Sequence, residues 1–189
     1  MRCAPLLLLA ALSALSITAC ASAPPRAASA PPKAWTDPDG RFTVDLSGTP
    51  RPRDVQELTF IGTVSFKVYA VDTDFSYRVS AFAYPWAQGQ PFDRAGELAH
   101  ASGRAIARMG GKPDREQPVV VDGVDGKDIY FSFTTHDGIP GRGLQRMLIS
   151  EAPPMRYHAF CIGPVDADLA PCEAFIRSFH PHVARPVSL

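Results

Sequence analysis

Side chains that could bind a metal ion or transfer protons are few and scattered along this chain of 189 residues. His180 and His182 flank a proline and could offer two imidazoles, but a zinc site needs three or four ligands and the sequence identifies no third. We therefore interpret residues 180–182 as an exposed C-terminal tail rather than as a metal site.

Three aspartates, Asp122, Asp125 and Asp128, form a second candidate cluster. Their three-residue spacing differs from the alternating spacing of a calcium-binding loop, so turn and strand-start positions explain them better. We accordingly predict neither a metal site nor a cofactor.

The sequence lacks the common motifs of nucleophilic catalysis: a Gly-x-Ser-x-Gly elbow, a Ser-x-x-Lys pair and a glycine-rich phosphate loop with a lysine. His100 and His158 could each lie beside an acid in the folded protein, but we interpret both as partly buried structural histidines. The sequence therefore predicts no enzyme activity, and an enzyme is the third of three functional hypotheses.

The N-terminal segment has the parts of a bacterial signal peptide. Arg2 supplies a positive charge, an apolar run follows from Leu6, and small residues precede Cys20. The motif Ile17-Thr18-Ala19-Cys20 resembles a lipoprotein lipobox, in which a peptidase cuts before a cysteine that carries diacylglycerol. This resemblance implies that residues 1–19 are a signal peptide and that Cys20 becomes the lipidated N-terminus.

The same segment has alternative interpretations. A spanning helix needs about 20 uninterrupted apolar residues, whereas Pro5, Ser13 and Ser16 interrupt this run. An ordinary secretory signal cut near residues 21–23 would release a free periplasmic domain. Ala21 follows the cysteine in place of an aspartate, which by resemblance to the known sorting rule implies the outer membrane, with an inner-membrane anchor as the alternative.

Of the four cysteines, Cys3 lies in the signal segment and Cys20 would be lipidated, which leaves Cys161 and Cys172 as an even pair. In an oxidising compartment such a pair predicts a disulfide, with two buried free thiols as the alternative. A loop of this size would stabilise the fold by roughly 3 kcal/mol when closed.

The charge composition limits the kinds of partner that the protein can bind. Lys and Arg total 19 and Asp and Glu total 19, so removal of Arg2 with the signal leaves 18 against 19 and a nearly neutral mature chain. Phosphate binding requires a surplus of basic residues on one face, so we expect no nucleic-acid partner.

The chain divides into four segments. After the signal peptide, residues 20–34 are mostly Ala, Ser and Pro, which favours an extended lipidated tether without a packed core. Residues 35–182 are long enough for a single domain, and 183–189 form a tail.

Hydrophobic periodicity gives the elements of that domain. Alternating patterns predict strands at 42–46, 55–61, 63–71, 75–84, 117–121, 127–135, 144–149 and 156–162. Spacings of three and four residues predict a main helix over 91–109, stopped by Gly110-Gly111, and a last helix that starts at Asp166 or Asp168 and ends before Pro181. Two groups of strands, each followed by a helix, indicate an α+β fold in which an antiparallel sheet has helices packed on its faces.

The order of elements and several phrases resemble bacterial proteins with a PsbP/Mog1-like domain. The phrase from Asp39 to Pro50 resembles their opening strand, Asp122 to Lys127 their Asp-Gly turn, and Phe175 to Phe179 their closing helix. Ser47 and Asp125 depart from prolines that are usual in the family. The resemblance implies an α/β/α sandwich and implies little chemistry, because relatives include an extrinsic photosystem subunit and a regulator of a small GTPase.

Aromatic residues cluster where elements end. Trp35, Tyr84, Trp86 and Phe92 could line a groove or contact a partner, although we favour a role in closing the edges of the core. The leading functional hypothesis is a non-catalytic periplasmic lipoprotein, anchored in the outer membrane through Cys20, that acts through protein contacts in the cell envelope. The alternative is a small-ligand, lipid or metal carrier that uses a groove between the sheet and a helix.

Overall fold

The computed structural model describes residues 30–59, 62–85 and 91–183, so the predicted signal peptide, Cys20, Trp86 and most of the tether and tail lie outside the described residues. The described chain forms ten strands and two helices in the order β1 (Lys33–Thr36), β2 (Phe42–Leu46), β3 (Arg51–Thr59), β4 (Gly62–Asp72), β5 (Ser76–Ala83), α1 (Arg94–Ala107), β6 (Lys112–Val121), β7 (Val124–Thr134), β8 (Pro140–Glu151), β9 (Pro154–Pro164), α2 (Ala170–Arg177) and β10 (His180–Pro181).

Seven strands form one antiparallel sheet in the order β3-β4-β5-β9-β8-β7-β6. Strand β8 shows why both faces of this sheet are covered. Leu144 and Leu148 pack into a core with α2, whereas the alternate residues Gln145 and Ile149 face α1, and all four are at most 2% exposed. Side chains alternate between the faces of a strand, so a central strand with both sets buried must lie between two layers. The predicted α+β fold with helices on the faces of the sheet is therefore confirmed.

Turn chemistry sets the register of the hairpins. Asp122 and Gly123 join β6 to β7 with φ values of 50° and 81°. A two-residue hairpin turn of this kind needs positive φ at both central positions, which Asp-Gly tolerates well. Gly138, with φ of 78°, has the same function between β7 and β8. Both turns lie where the sequence predicts them.

A second, three-stranded sheet of β1, β2 and β10 covers the α2 side. Phe42 at its centre is fully buried, and its ring lies 5.1 Å from Phe179 and 5.9 Å from Trp35. Strand β1 begins at Lys33, two residues before the predicted start of the domain. The interpretation of 180–182 as an exposed tail holds for the exposed His180 but is wrong for Pro181, which is buried, and both residues pair with β2.

Capping explains where the helices start. The Asp93 side chain accepts a hydrogen bond of 2.9 Å from the Gly96 N–H, so α1 begins three residues after the predicted proline. The N-cap residue of α2 is Leu169, without a side-chain cap, rather than the predicted Asp166 or Asp168, although Asp168 accepts a hydrogen bond of 2.9 Å from the Ala170 N–H. Neither helix, nor any other stretch of the described residues, provides a helix long and apolar enough to cross a bilayer.

Cys161 in β9 and Cys172 in α2 form a disulfide, with their Cα atoms 5.4 Å apart and both residues fully buried. The predicted pairing is confirmed in this structure, and the alternative of two free thiols is not. The bridge ties α2 to the centre of the seven-stranded sheet. Closing this short loop restricts the unfolded chain and stabilises the fold by roughly 3 kcal/mol.

Two glycines provide a matched test of this packing. A methyl group on Gly126 in β7 would collide with the Met147 carbonyl oxygen and lie 2.9 Å from the Leu148 Cα atom, whereas one on Gly103 in α1 would meet open space. We expect Gly126→Ala to lower the free energy of unfolding by about 2–3 kcal/mol through overpacking. Gly103→Ala should raise it by about 0.5–1 kcal/mol, because alanine favours a helix. Urea denaturation of both variants measures these changes, and equal effects would contradict the described register of β7 on β8.

Candidate functional site

The sheet face that packs on α1 carries a groove with a cavity volume of about 200 Å³. We call it the α1 groove. Its apolar walls come from strands β3, β4, β8 and β9 and from α1. Its polar lining consists of six side chains: Glu57, Arg78, Ser80, Arg108, Arg156 and His158.

Arg156 is the central charged group of this groove. It lies on β9 in the middle of the sheet, and its side chain is only 4% exposed. Its Nη1 and Nη2 atoms donate hydrogen bonds of 2.9 and 2.7 Å to the two carboxylate oxygens of Glu57. Bidentate pairs of this geometry are among the stronger charge-assisted hydrogen bonds.

Glu57 reaches Arg156 from the edge strand β3, which is three strands away in the sheet order. Three strand spacings of a flat sheet would separate the two backbones by about 14 Å. The Arg156 and Glu57 side chains bridge β4 and β5 on the α1 face, and β3 and β4 form one wall of the groove.

A second buried carboxyl group lies behind the first pair. Glu97 on α1 is 3% exposed, and its Oε1 atom accepts a hydrogen bond from the Tyr84 hydroxyl and lies 4.0 Å from Arg156 Nη1. Within the described ranges, Glu97 Oε2 and Arg156 Nε are buried without a hydrogen-bond partner. Burial raises the pKa of the Tyr84 phenol, and its hydrogen bond to Glu97 raises it further, so Tyr84 acts as a donor.

Aromatic rings complete the surroundings of Arg156. Its guanidinium lies 4.3 Å from the centroid of the Phe82 ring, and Phe66 stacks on Phe82 at 4.6 Å. A cation over the face of an aromatic ring is stabilised by the ring quadrupole, more strongly where water is excluded. The charge of Arg156 is thus stabilised by Glu57 on one side and by π electrons on another.

His158 is a neutral imidazole in the wall of the groove. Gln145 donates through Nε2 to the Ser102 carbonyl oxygen at 3.1 Å, so its Oε1 atom accepts the 3.2 Å hydrogen bond from His158 Nε2. Burial, together with the neighbouring charge of Arg156, lowers the pKa of His158 to about 3. Burial alone would raise the pKa of Glu57, but the hydrogen bonds and charge of Arg156, together with Arg108, bring it below its ordinary value.

Acid should destabilise the folded protein through His158. The pKa of His158 is about 3 in the folded protein and 6.5 in the unfolded chain. Below pH 6.5 the imidazole is therefore protonated in the unfolded chain but stays neutral in the folded protein. The stability is fully present above pH 6.5 and is lost as the pH falls toward 3. We expect the free energy of unfolding to fall by about 1–2 kcal/mol from pH 7 to pH 5. The lower end of this range applies if solvent at the half-buried His158 ring reduces the shift of its pKa.

The matched control is His158→Gln, which keeps a polar side chain but does not titrate. Urea denaturation at pH 7 and pH 5 should show a smaller pH-dependent loss in this variant. Glu57, whose pKa is lowered from 4.5, contributes stability that is lost only at more acidic pH, so it does not blur the comparison. Equal losses in both proteins would show that His158 is not the responsible group.

The aspartates and histidines considered as metal ligands do not converge on one point. Asp122 accepts a hydrogen bond of 2.8 Å from His180, Asp125 pairs with Arg94, and Asp128 receives two hydrogen bonds of 2.7 Å from Arg146. His182 contacts the Gly40 carbonyl oxygen at 2.9 Å. Within the part of the chain that the structure describes, no group of three or more His, Cys, Asp or Glu residues could hold a metal ion.

The two histidines considered for catalysis lie in different settings. His100 is exposed on α1, with its Nε2 atom 3.2 Å from Arg104 Nη1, whereas His158 bonds Gln145. Across residues 30–59, 62–85 and 91–183, neither imidazole forms a hydrogen bond with a carboxylate.

The aromatic residues proposed for contact are only partly described. Tyr84 is 4% exposed and packs against Phe82 at 5.1 Å and Phe92 at 5.4 Å, which agrees with the core role favoured from the sequence. Phe92 is half-buried, and Trp86 lies outside the described residues. A contact role for Tyr84, Trp86 and Phe92 stays a prediction.

Sequence reasoning missed the charged cluster of the α1 groove, although a signal was present. Arg156 shares a strand face with His158 and Phe160 in a strand whose other face is also apolar. In a sheet covered on both sides, such an arginine must be buried and must have a partner. That partner, Glu57, is 99 residues away in sequence, and nothing local identifies it.

Comparison of the sequence with protein-family models and with curated proteins finds no match. Among solved structures, the chain is similar to cyanobacterial PsbP (CyanoP) from Synechocystis sp. PCC 6803, with a TM-score of 0.53 and 12% identity over 92% of this chain and 99% of that one.

Two further structures are more distantly similar. A protein from Bacteroides thetaiotaomicron VPI-5482 has a TM-score of 0.48 and 10% identity, over 82% of this chain and 50% of that one. A Pseudomonas aeruginosa protein of unknown function has a TM-score of 0.41 and 12% identity, over 75% of this chain and 88% of that one. At such low identities these similarities concern the fold alone, and the likeness to CyanoP supports a PsbP-like α+β fold.

Proposed function

We propose that this protein is a non-catalytic lipoprotein of the bacterial cell envelope, anchored in the outer membrane through Cys20, that acts by binding another envelope protein. The lipobox-like motif at residues 17–20 supports the anchor. The observation that carries the contact role is an exposed apolar surface at the end of the sheet where the tether joins the domain.

Two cavities that share residues show that this surface lies at the same end of the domain as the start of β1. Strand β1 begins at Lys33, opposite Leu46, and the next turn, Ser47 to Thr49, shares a small surface cavity with Asp72 and Thr73. The same two residues border a larger apolar cavity of about 310 Å³. We call this larger feature the end surface, lined on its apolar side by Phe75, Phe133, Ile139, Pro140, Ile162 and Pro164.

The chemistry of the end surface favours a protein partner with apolar and basic side chains. Ile139 is 62% exposed at its rim, and such patches mark interaction sites more often than random surface does. Asp74 lines it and is exposed, and Asp137 is exposed two residues before Ile139, whereas Asp72 is ion-paired with Arg78 at 2.8 Å. Acidic carboxylates around an apolar centre would repel an anionic membrane and attract a partner that carries lysine or arginine beside an apolar residue.

The anchor is tested by the intact mass of the mature protein purified from membranes. We expect a chain that starts at Cys20 with a mass increase equal to its acyl groups, because two or more acyl chains hold a protein stably in a bilayer. Cys20→Ala should abolish both the acylation and the membrane association. Thiol alkylation before and after reduction of the same sample should label Cys161 and Cys172 only after reduction. An unacylated wild-type chain that starts after residue 20 would reject the anchor.

The contact is tested by a photoreactive phenylalanine analogue placed at position 139 in the anchored protein in cells. Position 120 is a matched control, because Val120 is similarly exposed (67% against 62%) but lies at the opposite end of the β6-β7 hairpin. We expect one envelope protein to be cross-linked from position 139 and not from position 120. Asp74→Lys with Asp137→Lys should abolish this product through charge repulsion.

Three outcomes would overturn the contact role: cross-links from position 139 to lipid alone, the same products from both positions, or a product that persists after charge reversal.

A carrier of small ligands is a second candidate function, and the α1 groove favours it.

A further inference from the structure

We propose that the α1 groove is a binding site for a small carboxylate with an apolar body, such as a short-chain or aromatic carboxylic acid. This inference goes beyond the anchored contact role and does not depend on it, because the α1 groove and the end surface are separate cavities.

The arrangement of charge favours an anion. Arg78 is occupied by Asp72 at 2.8 Å and by the Tyr77 carbonyl oxygen at 2.9 Å. Glu57, in contrast, is shared: Arg156 bonds it twice, and Arg108 approaches one of its oxygens at only 3.5 Å. The positive charge of Arg104 acts on the same carboxylate and contributes to its lowered pKa. Arg104, Arg108 and Arg156 thus outnumber the two carboxylates close to them, Glu57 and Glu97.

Arg108 is the arginine best placed to receive a ligand. It follows the last residue of α1, lines the groove, and has a side chain that is 50% exposed. Its 3.5 Å contact with Glu57 involves only the Nη1 atom. Guanidinium groups recognise carboxylates through paired donors, so an incoming carboxylate would bind Arg108 without breaking the Arg156–Glu57 pair.

Arg156 forms the charged floor of the groove. It lines the cavity and its side chain is 4% exposed, with Nη1 and Nη2 bonded to Glu57. Its Nε atom is buried without a hydrogen-bond partner within the described residues and is not open to the groove. Arg156 therefore adds positive charge to the site, and the direct contact with a ligand is left to Arg108.

The apolar walls and the volume define the rest of the ligand. Val55, Phe66, Val68, Met147 and Phe160 line the groove with hydrocarbon, sulfur and aromatic surface. An apolar cavity of about 150 Å³ is large enough to bind benzene, and the α1 groove holds about 200 Å³. A single ring or a chain of about six carbons with one carboxylate therefore fits, whereas a membrane fatty acid does not. His158 is neutral, because burial lowers its pKa to about 3, and its Nε2 donor is already bonded to Gln145.

The experiment measures binding of benzoate and hexanoate to the full mature chain by thermal shift and isothermal titration. Both ligands should bind saturably and raise the melting temperature, since a ligand that binds only the folded state stabilises it. Benzamide, which has the same ring without the charge, should bind at least about tenfold more weakly. Palmitate should not compete with benzoate.

Variants locate the binding. Arg108→Gln should weaken benzoate binding about tenfold. This side chain is half exposed, so its loss does not threaten folding. The matched control is Arg115→Gln, which removes an arginine that stacks on Tyr130 at 3.9 Å on another part of the sheet and should leave binding unchanged. Ala105→Phe, which fills the groove from α1, should abolish binding while circular dichroism confirms a folded chain.

The proposal is overturned by the absence of saturable binding of both acids at millimolar concentration. Equal affinity for benzoate and benzamide, or equal losses in Arg108→Gln and Arg115→Gln, would overturn it as well. Loss of the membrane anchor or of the cross-link at position 139 would leave all these results unchanged, so the failure of one proposal is distinguishable from the failure of the other.

Discussion

The buried guanidinium of Arg156 is the group on which the α1 side of the structure depends. It joins the central strand β9 to the edge strand β3 through Glu57 and lies within 4.0 Å of Glu97 on α1. Removing one partner of a buried ion pair generally destabilises a protein by about 3–5 kcal/mol, because the remaining charge is left without compensation. The pair with Glu57, the contact with Glu97 and the charged lining of the groove all involve this one cation.

On the opposite face of the sheet, which packs on α2, a second buried arginine links the sheet to a helix. Arg146 on β8 is 7% exposed, bonds both carboxylate oxygens of Asp128 at 2.7 Å, and donates at 2.8 Å to the Ile176 carbonyl oxygen near the end of α2. Each helix is therefore connected to the sheet by an arginine from a central strand. On the α2 face the disulfide adds a covalent link, whereas on the α1 face a cavity remains beside the buried charge of Arg156.

The sequence predicts the fold well where apolar periodicity is strong. The strands around Phe42 and Ile149, both helices, two hairpin turns and the cysteine pair all appear as predicted. Strand β6 was predicted only from 117, because its first part is a solvated edge with polar residues and Pro113 and so lacks an alternating apolar pattern. The short strand β1 forms a local hairpin with β2 but was missed because Lys33–Thr36 has no alternating apolar pattern. Strand β10 was missed because its partner β2 lies at the other end of the domain sequence.

The candidate site was much less predictable than the fold. A groove needs the relative placement of β3, β9 and α1, and its charged residues are separated by up to 99 positions. Local pattern marks a buried arginine but gives neither its acceptor nor the cavity beside it. The aspartates and histidines that the sequence singled out are paired with separate partners. Residue type alone does not show toward which neighbour a side chain is oriented in the fold.

The short strand β1 has a mechanical consequence. A load applied to the chain ahead of Lys33 reaches this strand first, and only four residue pairs join it to β2. Such a strand would peel away before the longer ladders of the seven-stranded sheet, since fewer backbone hydrogen bonds resist the load. Its release would lengthen the connection to the domain by about 13 Å. The disulfide and the ion pairs of Arg156 and Arg146 would remain in place. The domain therefore has an extensible linkage at the point where the chain enters it.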